Sequence, residues 1–182
     1  MRGARQVEVN EPVTKDDHKE LLKHARNSAE WYCSSSMKTE GMIRSKLLDK
    51  GYPNLPSELA DGSSVDYIEE ALEYCRSLYL VHSDESYANE VMRPAVRSGK
   101  SPMEFQQKLM LKGINPEAIS DAVQDYPSLD ALEYVLPKAH RSSGVRKAKN
   151  ENEVKQKLIE FLRRKGFRYG DIREVLDSNL ED

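Results

Sequence analysis

The stretch LMLKGI at Leu109–Ile114 follows a pattern, Leu-x-x-Lys-Gly and then an apolar residue, that occurs three times in the chain. The other two copies are LLDKGY at Leu47–Tyr52 and LRRKGF at Leu162–Phe167. Each copy is followed by a second shared element, Ile-x-x-x-Leu or Ile-x-x-x-Val. The two elements together recur at intervals of about fifty residues, which is the signature of a repeat architecture.

The repeated pattern is typical of a helix that ends and turns at once into another helix. The leucine lies on the buried side of the last turn, and the lysine complements the exposed carbonyl groups at the negative end of the helix dipole. Glycine readily adopts the left-handed conformation that closes a helix, and the apolar residue after it packs back on the last turn. The isoleucine element is the apolar seam of the next helix.

A further helix is predicted before each of these pairs. We expect Thr14 with Asp17 to start the first, Asp84 to cap the second and Ser128 to cap the third. Pro94 falls inside the second of these helices, so a kink or an early end is expected there. The predicted fold class is all-α, an elongated array of three tandem three-helix repeats with about nine helices.

The repeats are assigned to three ranges between two short tails. The first repeat has extra residues between its glycine and its isoleucine, and these are rich in turn formers, so an inserted loop is expected there. The predicted segments are an N-terminal tail at 1–13, repeat 1 at 14–77 with an inserted loop at 53–64, repeat 2 at 84–126, repeat 3 at 128–178 and a C-terminal tail at 179–182.

We expect a cytoplasmic protein, and a monomer. No long apolar run is present, so neither a signal peptide nor a membrane-spanning segment is expected. Cys33 and Cys75 both fall on predicted helices of repeat 1 and are interpreted as buried thiols in a reducing compartment. Trp31 is interpreted as a packing residue, in the core or between helices, rather than as a base-stacking platform.

Catalytic, cofactor-binding and metal-ligating patterns were not found in the sequence. His18 and His24 are six positions apart, which does not place them together on one helix face as zinc ligands. The carboxylates of Glu69, Glu70 and Glu73 are interpreted as a solvated helix face rather than as a catalytic pair. We therefore expect no enzymatic activity, no cofactor and no metal.

Charge is distributed unevenly along the chain. The net charge of −3 conceals −7 in residues 1–137, +8 in residues 138–168 and −4 in residues 169–182. Such asymmetry suggests a polyanion partner, or a protein surface of complementary charge. The alternative interpretation of the positive stretch is a solvated loop joined to a helix with a polar face. Compensation of the helix dipole alone would favour the arginines in the last turn of that helix. The candidate contacts form a first basic group of Arg93, Arg97, Lys100, Lys108 and Lys112, and a second basic group of Arg146, Lys147, Lys149, Arg163, Arg164 and Arg168.

Several segments carry a resemblance to a known family over roughly residues 20–178. The order of these segments along the chain resembles that of the RecX family, bacterial regulators of the RecA recombinase. The segments are KLLDKGY at 46–52, DESYA at 84–88, SGKSP at 98–102, QKLMLKGI at 107–114 and FLRRKGF at 161–167, with Tyr169 and Ile172 after them.

The resemblance implies a non-enzymatic protein that binds along or at the end of the RecA–DNA filament. Inhibition of filament growth would restrain strand exchange and co-protease activity, and so recombination, DNA repair and the SOS response. The implied partner is the RecA filament, with single-stranded DNA phosphates as a secondary contact. Two alternatives stay open: a helical module that binds nucleic acid directly without RecA, and a helical scaffold with an unrelated partner.

Overall fold

The computed structural model describes residues 15–59 and 61–178. This part of the chain forms ten helices and two small two-stranded sheets, so the all-α prediction is confirmed. The predicted helix start at Thr14 and the two predicted tails lie outside the described residues. The chain divides into two compact units, unit 1 up to Tyr87 and unit 2 from Ala88, with the division inside one helix.

Unit 1 is built on three helices around one core. Its core side chains come from all three helices and include Ala25, Ile43, Leu47, Ile68 and Leu72. The strands form two sheets, β1 with β4 in parallel and β2 with β3 in antiparallel. The elements are α1 (Lys15–Ser34), β1 (Lys38–Thr39), α2 (Glu40–Asp49), β2 (Ser57–Glu58), β3 (Ser64–Val65), α3 (Tyr67–Ser77), β4 (Val81–His82) and the start of α4 (Asp84–Arg97).

The predicted loop at 53–64 contains part of a short hairpin. Ser57 pairs with Val65 and Glu58 with Ser64, and the turn between the strands includes Gly62 at φ 82°. The side chain of Asp66 directly afterwards accepts hydrogen bonds from the N–H groups of Ile68 and Glu69, and so starts α3. A two-residue strand is too short to produce a recognisable alternation, so the sequence pattern showed only the turn formers.

Unit 2 continues from α4 through six further helices. Its fully buried side chains include Phe105, Leu109, Leu132, Leu162 and Ile172. The helices are α5 (Pro102–Leu111), α6 (Pro116–Gln124), α7 (Ser128–His140), α8 (Ser143–Arg146), α9 (Glu151–Arg164) and α10 (Tyr169–Ser178). The short helix α8 was not predicted. It lies within residues 141–150, for which a solvated loop was one of the two interpretations, and it buries Val145.

Two predicted helix starts are wrong, and of the two outcomes expected at Pro94, a kink or an early end, the early end does not occur. The second helix is capped by Ser83, whose Oγ accepts the Ser86 N–H at 3.1 Å, and Asp84 is already inside it. Pro127 takes the cap position of α7, so Ser128 is its first helical residue. Helix α4 runs on through Pro94 to Arg97. Pro94 lies at the start of the last turn and is exposed, so it removes one backbone hydrogen bond without ending the helix.

The repeated Leu-x-x-Lys-Gly pattern closes helices as predicted. Gly51, Gly113 and Gly166 have φ of 89°, 72° and 93°. In each case the glycine N–H bonds the carbonyl three residues back, and the next N–H bonds the carbonyl five residues back. This is the Schellman arrangement, with the repeat lysine at the C-cap. The pattern is therefore a structural signal.

Candidate functional site

The eleven candidate cations all lie in unit 2, on or beside α4, α5, α8 and α9. Ten of the side chains are exposed and Lys108 is partly buried. Among the described residues none of the eleven forms an ion pair. The ion pairs of unit 2 are made by other cations, namely Lys155, Lys157, Lys165 and Arg173. The positive charge of the two basic groups is therefore left available to a partner.

Three cations of the first basic group converge on one open depression of about 460 Å³. Helix α5 presents Glu104, Gln107, Lys108 and Leu111 on one face, because they are spaced three and four residues apart. Gln107 and Leu111 were not predicted, although this helical spacing could have indicated them. Arg93 and Arg97 lie on α4 and are not part of the lining, which consists of Lys100, Glu104, Gln107, Lys108, Leu111 and Lys112.

The backbone of Lys100 is held in place by a buried tyrosine. The hydroxyl of Tyr126 donates to the Lys100 carbonyl at 2.7 Å, and its ring packs on Phe105 with centroids 4.9 Å apart. Burial raises the pKa of Tyr126, with the nearby Glu104 carboxylate adding to the effect, so the phenol remains a donor. This hydrogen bond fixes the backbone position from which the Lys100 side chain extends.

A serine joins the start of α5 to the end of α9. The Ser101 hydroxyl accepts a hydrogen bond from the Glu104 N–H at 3.1 Å, and the Glu104 carboxylate accepts one from the Ser101 N–H at 3.0 Å. Together these two bonds form a capping box. The same serine hydroxyl donates to the carbonyl of Lys165, and the Lys165 ammonium lies 3.7 Å from Glu104. The end of α9 is therefore placed beside the depression on α5.

The second basic group is split between the two ends of α9. The backbone N–H of Lys149 bonds Glu153 in the first turn of the helix, whereas Arg163 and Arg164 occupy the last turn. A 14-residue helix separates these ends by about 20 Å. The structure thus regroups the candidates. We use the name α5–α9 surface for Lys100, Lys108 and Lys112 of the depression together with Arg163, Arg164 and Arg168, which lie at or just after the end of α9 that Ser101 joins to α5. The name α8 group is used for Arg146, Lys147 and Lys149.

Four glutamates of unit 1 form internal ion pairs with arginines. Arg76 contacts Glu40 at 2.7 Å, Glu69 at 2.8 Å and Glu73 at 3.4 Å. Glu69 also contacts Arg44, and Glu70 contacts Arg26. The interpretation of Glu69, Glu70 and Glu73 as a solvated face therefore describes Glu73 best, since the other two are partly buried.

The interpretation of Trp31 as a packing residue is wrong, because its side chain is 72% exposed. The buried side of α1 carries Ala25, Ala29 and Cys33, and Trp31 lies away from that stripe. Cys33 and Cys75 are buried free thiols, as predicted. Burial raises the pKa of Cys33 and raises that of Cys75 to about 12, so both are thiols at neutral pH.

The described residues contain neither a metal-binding cluster nor a membrane-spanning helix. Within residues 15–59 and 61–178, no three His, Cys, Asp or Glu side chains come together in a way that could hold a metal ion. In the same ranges, no helix has the length and apolar character needed to cross a membrane.

Comparison with known proteins identifies the family. A family model described as the third three-helix domain of RecX matches residues 128–176. Regulatory protein RecX of Chlorobium limicola is 31% identical over 160 residues, covering 86% of this chain and 92% of the relative. Regulatory protein RecX of Lactococcus lactis strain SK11 is 28% identical, and this chain spans only 63% of its length.

The fold agrees with the same family. The crystal structure of RecX from Lactobacillus salivarius superposes with a TM-score of 0.69 at 22% identity, covering 88% of this chain and 97% of that one. A second crystal structure, of a regulatory protein RecX, gives a TM-score of 0.66 at 23% identity. With the fold, the repeats and the Chlorobium relative in agreement, this chain belongs to the RecX family of regulatory proteins.

Proposed function

We propose that this chain binds the RecA filament on single-stranded DNA and restrains its growth and activity, without catalysing a reaction. The observation that carries the proposal is the set of cations on the α5–α9 surface that pair with no carboxylate of residues 15–59 and 61–178, in a chain of the RecX family. A RecA–DNA filament is a polymer that combines protein surface with nearby phosphates. A cationic surface that keeps its charge after folding suits such a partner, because it needs no internal ion pair to be broken first.

The charges of unit 1 support a division of labour. Its acidic side chains neutralise Arg26, Arg44 and Arg76. Residues 15–87 also hold fourteen Asp and Glu against nine Lys and Arg, so unit 1 offers phosphates little attraction. Contact with phosphates is therefore assigned to unit 2. Neutralising phosphates releases counterions, so this part of the binding weakens as salt concentration rises.

The test compares two triple charge reversals that change the net charge by the same amount. The first is Lys100→Glu, Lys108→Glu and Lys112→Glu on the α5–α9 surface. The control is Arg146→Glu, Lys147→Glu and Lys149→Glu in the α8 group. The measurement is the RecA ATPase rate on single-stranded DNA across a titration of each protein, with thermal unfolding recorded for both variants.

We expect wild type to lower the ATPase rate and the first variant to need at least about tenfold more protein for the same effect. If the three lysines contact phosphates, the log–log salt dependence of filament binding should also fall by about 2, since each single-strand contact contributes about 0.7. Equal losses in the two variants would indicate a general charge effect. An ATPase rate unchanged by saturating wild type would refute the proposal. Tight, strongly salt-dependent binding to bare DNA would favour direct nucleic-acid binding instead.

A further inference from the structure

Helix α3 ends in a Schellman arrangement with tyrosine in the left-handed position, whereas α2, α4, α5 and α9 have glycine in that position. The N–H of Tyr79 bonds the Arg76 carbonyl at 2.9 Å, and the N–H of Leu80 bonds the Cys75 carbonyl at 3.0 Å. These are the two bonds of the Schellman arrangement, and Tyr79 occupies its left-handed position with φ 56°. It is the one residue other than glycine with positive φ in the described part of the chain.

This position is unfavourable for tyrosine on two counts. A left-handed conformation costs an L-residue free energy that glycine does not lose, because Cβ approaches the following carbonyl oxygen. The ring is also 90% exposed, and among the described residues it makes no hydrogen bond and no ring contact. Nothing inside the fold offsets the strain, so glycine would serve the fold better. A role outside the fold accounts for the ring.

Other large apolar side chains are exposed at the same end of unit 1. Leu78, next to the tyrosine, is 42% exposed. Helices α1 and α3 run in the same direction, since Arg26 bonds Glu70 at 2.9 Å and Tyr74 bonds Glu30 at 3.1 Å one turn further on. The last turns of both helices therefore lie at one end, and the exposed Trp31 of α1 belongs to that end.

The charges around these side chains indicate the chemistry of a partner. Three carboxylates lie on this part of the unit, on Glu30, Glu40 and Glu73, whereas Arg76 is held by two of them. Lys38 is buried, with its ammonium 4.7 Å from the centre of the Tyr32 ring. Lys46 also lies near this ring, at 5.9 Å, so the charges closest to the exposed side chains nearly balance. Unit 1 as a whole is negative, because residues 15–87 hold nine Lys and Arg against fourteen Asp and Glu, a net charge of −5, and such a unit repels phosphates and attracts cationic side chains.

We propose that Tyr79, with Leu78 beside it, anchors unit 1 in an apolar pocket of a protein partner whose rim is basic. Tyrosine is enriched among the residues that dominate protein interfaces, where a large ring fills a pocket at low cost in side-chain freedom. The proposal rests on the function proposed above, because the RecA protein of the filament is taken as that partner. It assigns the protein contact to unit 1 and leaves the phosphate contact to unit 2.

The test uses a substitution whose effects on stability and binding have opposite signs. In the full chain, Tyr79→Gly should raise the unfolding temperature by roughly 3 °C, because the left-handed strain is relieved. The same change should weaken binding to RecA filaments at least about tenfold at a salt concentration that suppresses phosphate contacts. The control, Leu55→Ser, removes another exposed apolar side chain of unit 1, 74% exposed against 90% for Tyr79, and should alter neither quantity.

The outcomes separate this inference from the proposed function. Filament binding by Tyr79→Gly that equals wild type would overturn the inference and leave the proposed function standing. A parallel loss of binding to bare single-stranded DNA would also overturn it, since the ring would then stack on nucleobases. Wild type that fails to bind filaments at low salt would overturn both.

Discussion

Replacing Gly99 by alanine should destabilise unit 2 more than the same change at Gly113. Both glycines occupy the left-handed position of a Schellman closure, with φ of 68° and 72°. The backbone strain that alanine introduces is therefore nearly the same at the two sites, about 1 kcal/mol. Any difference between the two variants must come from the space around the new methyl group.

That space differs sharply. A Cβ at Gly113 would meet no atom within 4 Å, whereas a Cβ at Gly99 would lie 2.8 Å from Cβ of Val135 and 3.1 Å from its Cα and N. Two of these atoms are backbone of α7, which cannot move aside as a flexible side chain can. Overpacking of this kind costs about 1–3 kcal/mol. We expect a total loss of about 2–4 kcal/mol for Gly99→Ala and about 1 kcal/mol for Gly113→Ala.

Urea unfolding followed by circular dichroism measures both losses. With a slope of about 2 kcal/mol per molar urea, the midpoint of Gly99→Ala should lie roughly 1 M below that of Gly113→Ala. Equal midpoints would refute the reasoning, because the close approach of α4 to α7 would then carry no energetic weight. A larger loss at Gly113 would show that strain, rather than space, controls these turns.

Two further predictions concern titration and reactivity in unit 1. Hydrogen bonds from Arg76 lower the pKa of Glu40 and Glu69, so their contribution to stability is present above the ordinary carboxylate pKa and is lost as pH falls through the folded values. The unfolding temperature of the wild type should therefore drop on acidification below about pH 4.5, and that of Arg76→Leu should drop less. Parallel curves of unfolding temperature against pH for the two proteins would contradict this. Burial keeps Cys33 and Cys75 protonated, so Ellman's reagent at pH 8 should react slowly with native protein and rapidly in guanidinium, and rapid native labelling would disprove the assignment.

Much of the helical organisation could be predicted because its signals are local. A helix closed by lysine and glycine depends on residues within about five positions of one another, and the hydrogen bonds at Gly51, Gly113 and Gly166 follow that pattern. The buried stripe of α1 at Ala25 and Ala29 was equally visible from its helical spacing. The exposed state of the eleven cations was also expected, since unpaired lysine and arginine are rarely buried.

The grouping of the site residues could not be predicted, because it depends on distant contacts. The bond from Ser101 to the carbonyl of Lys165 joins residues 64 positions apart and places α9 beside α5. No local pattern indicates it, although the capping motif at Ser101 is readable. The exposure of Trp31 could not be predicted for a related reason, because a single aromatic residue gives no periodic signal. The end of α3 at Tyr79 could not be predicted because the sequence has no glycine there.

The local character of the helix closures has a consequence for synthesis of the protein. The core of unit 1 draws its side chains from the stretch between Leu21 and Val81, and the ends of α2 and α3 are completed by hydrogen bonds spanning at most five residues. These ends need no later part of the chain, and domains generally fold as units from the N-terminal side during translation. Unit 1 can therefore form its core, with Tyr79 already displayed, while the cations of unit 2 are still being added to the chain.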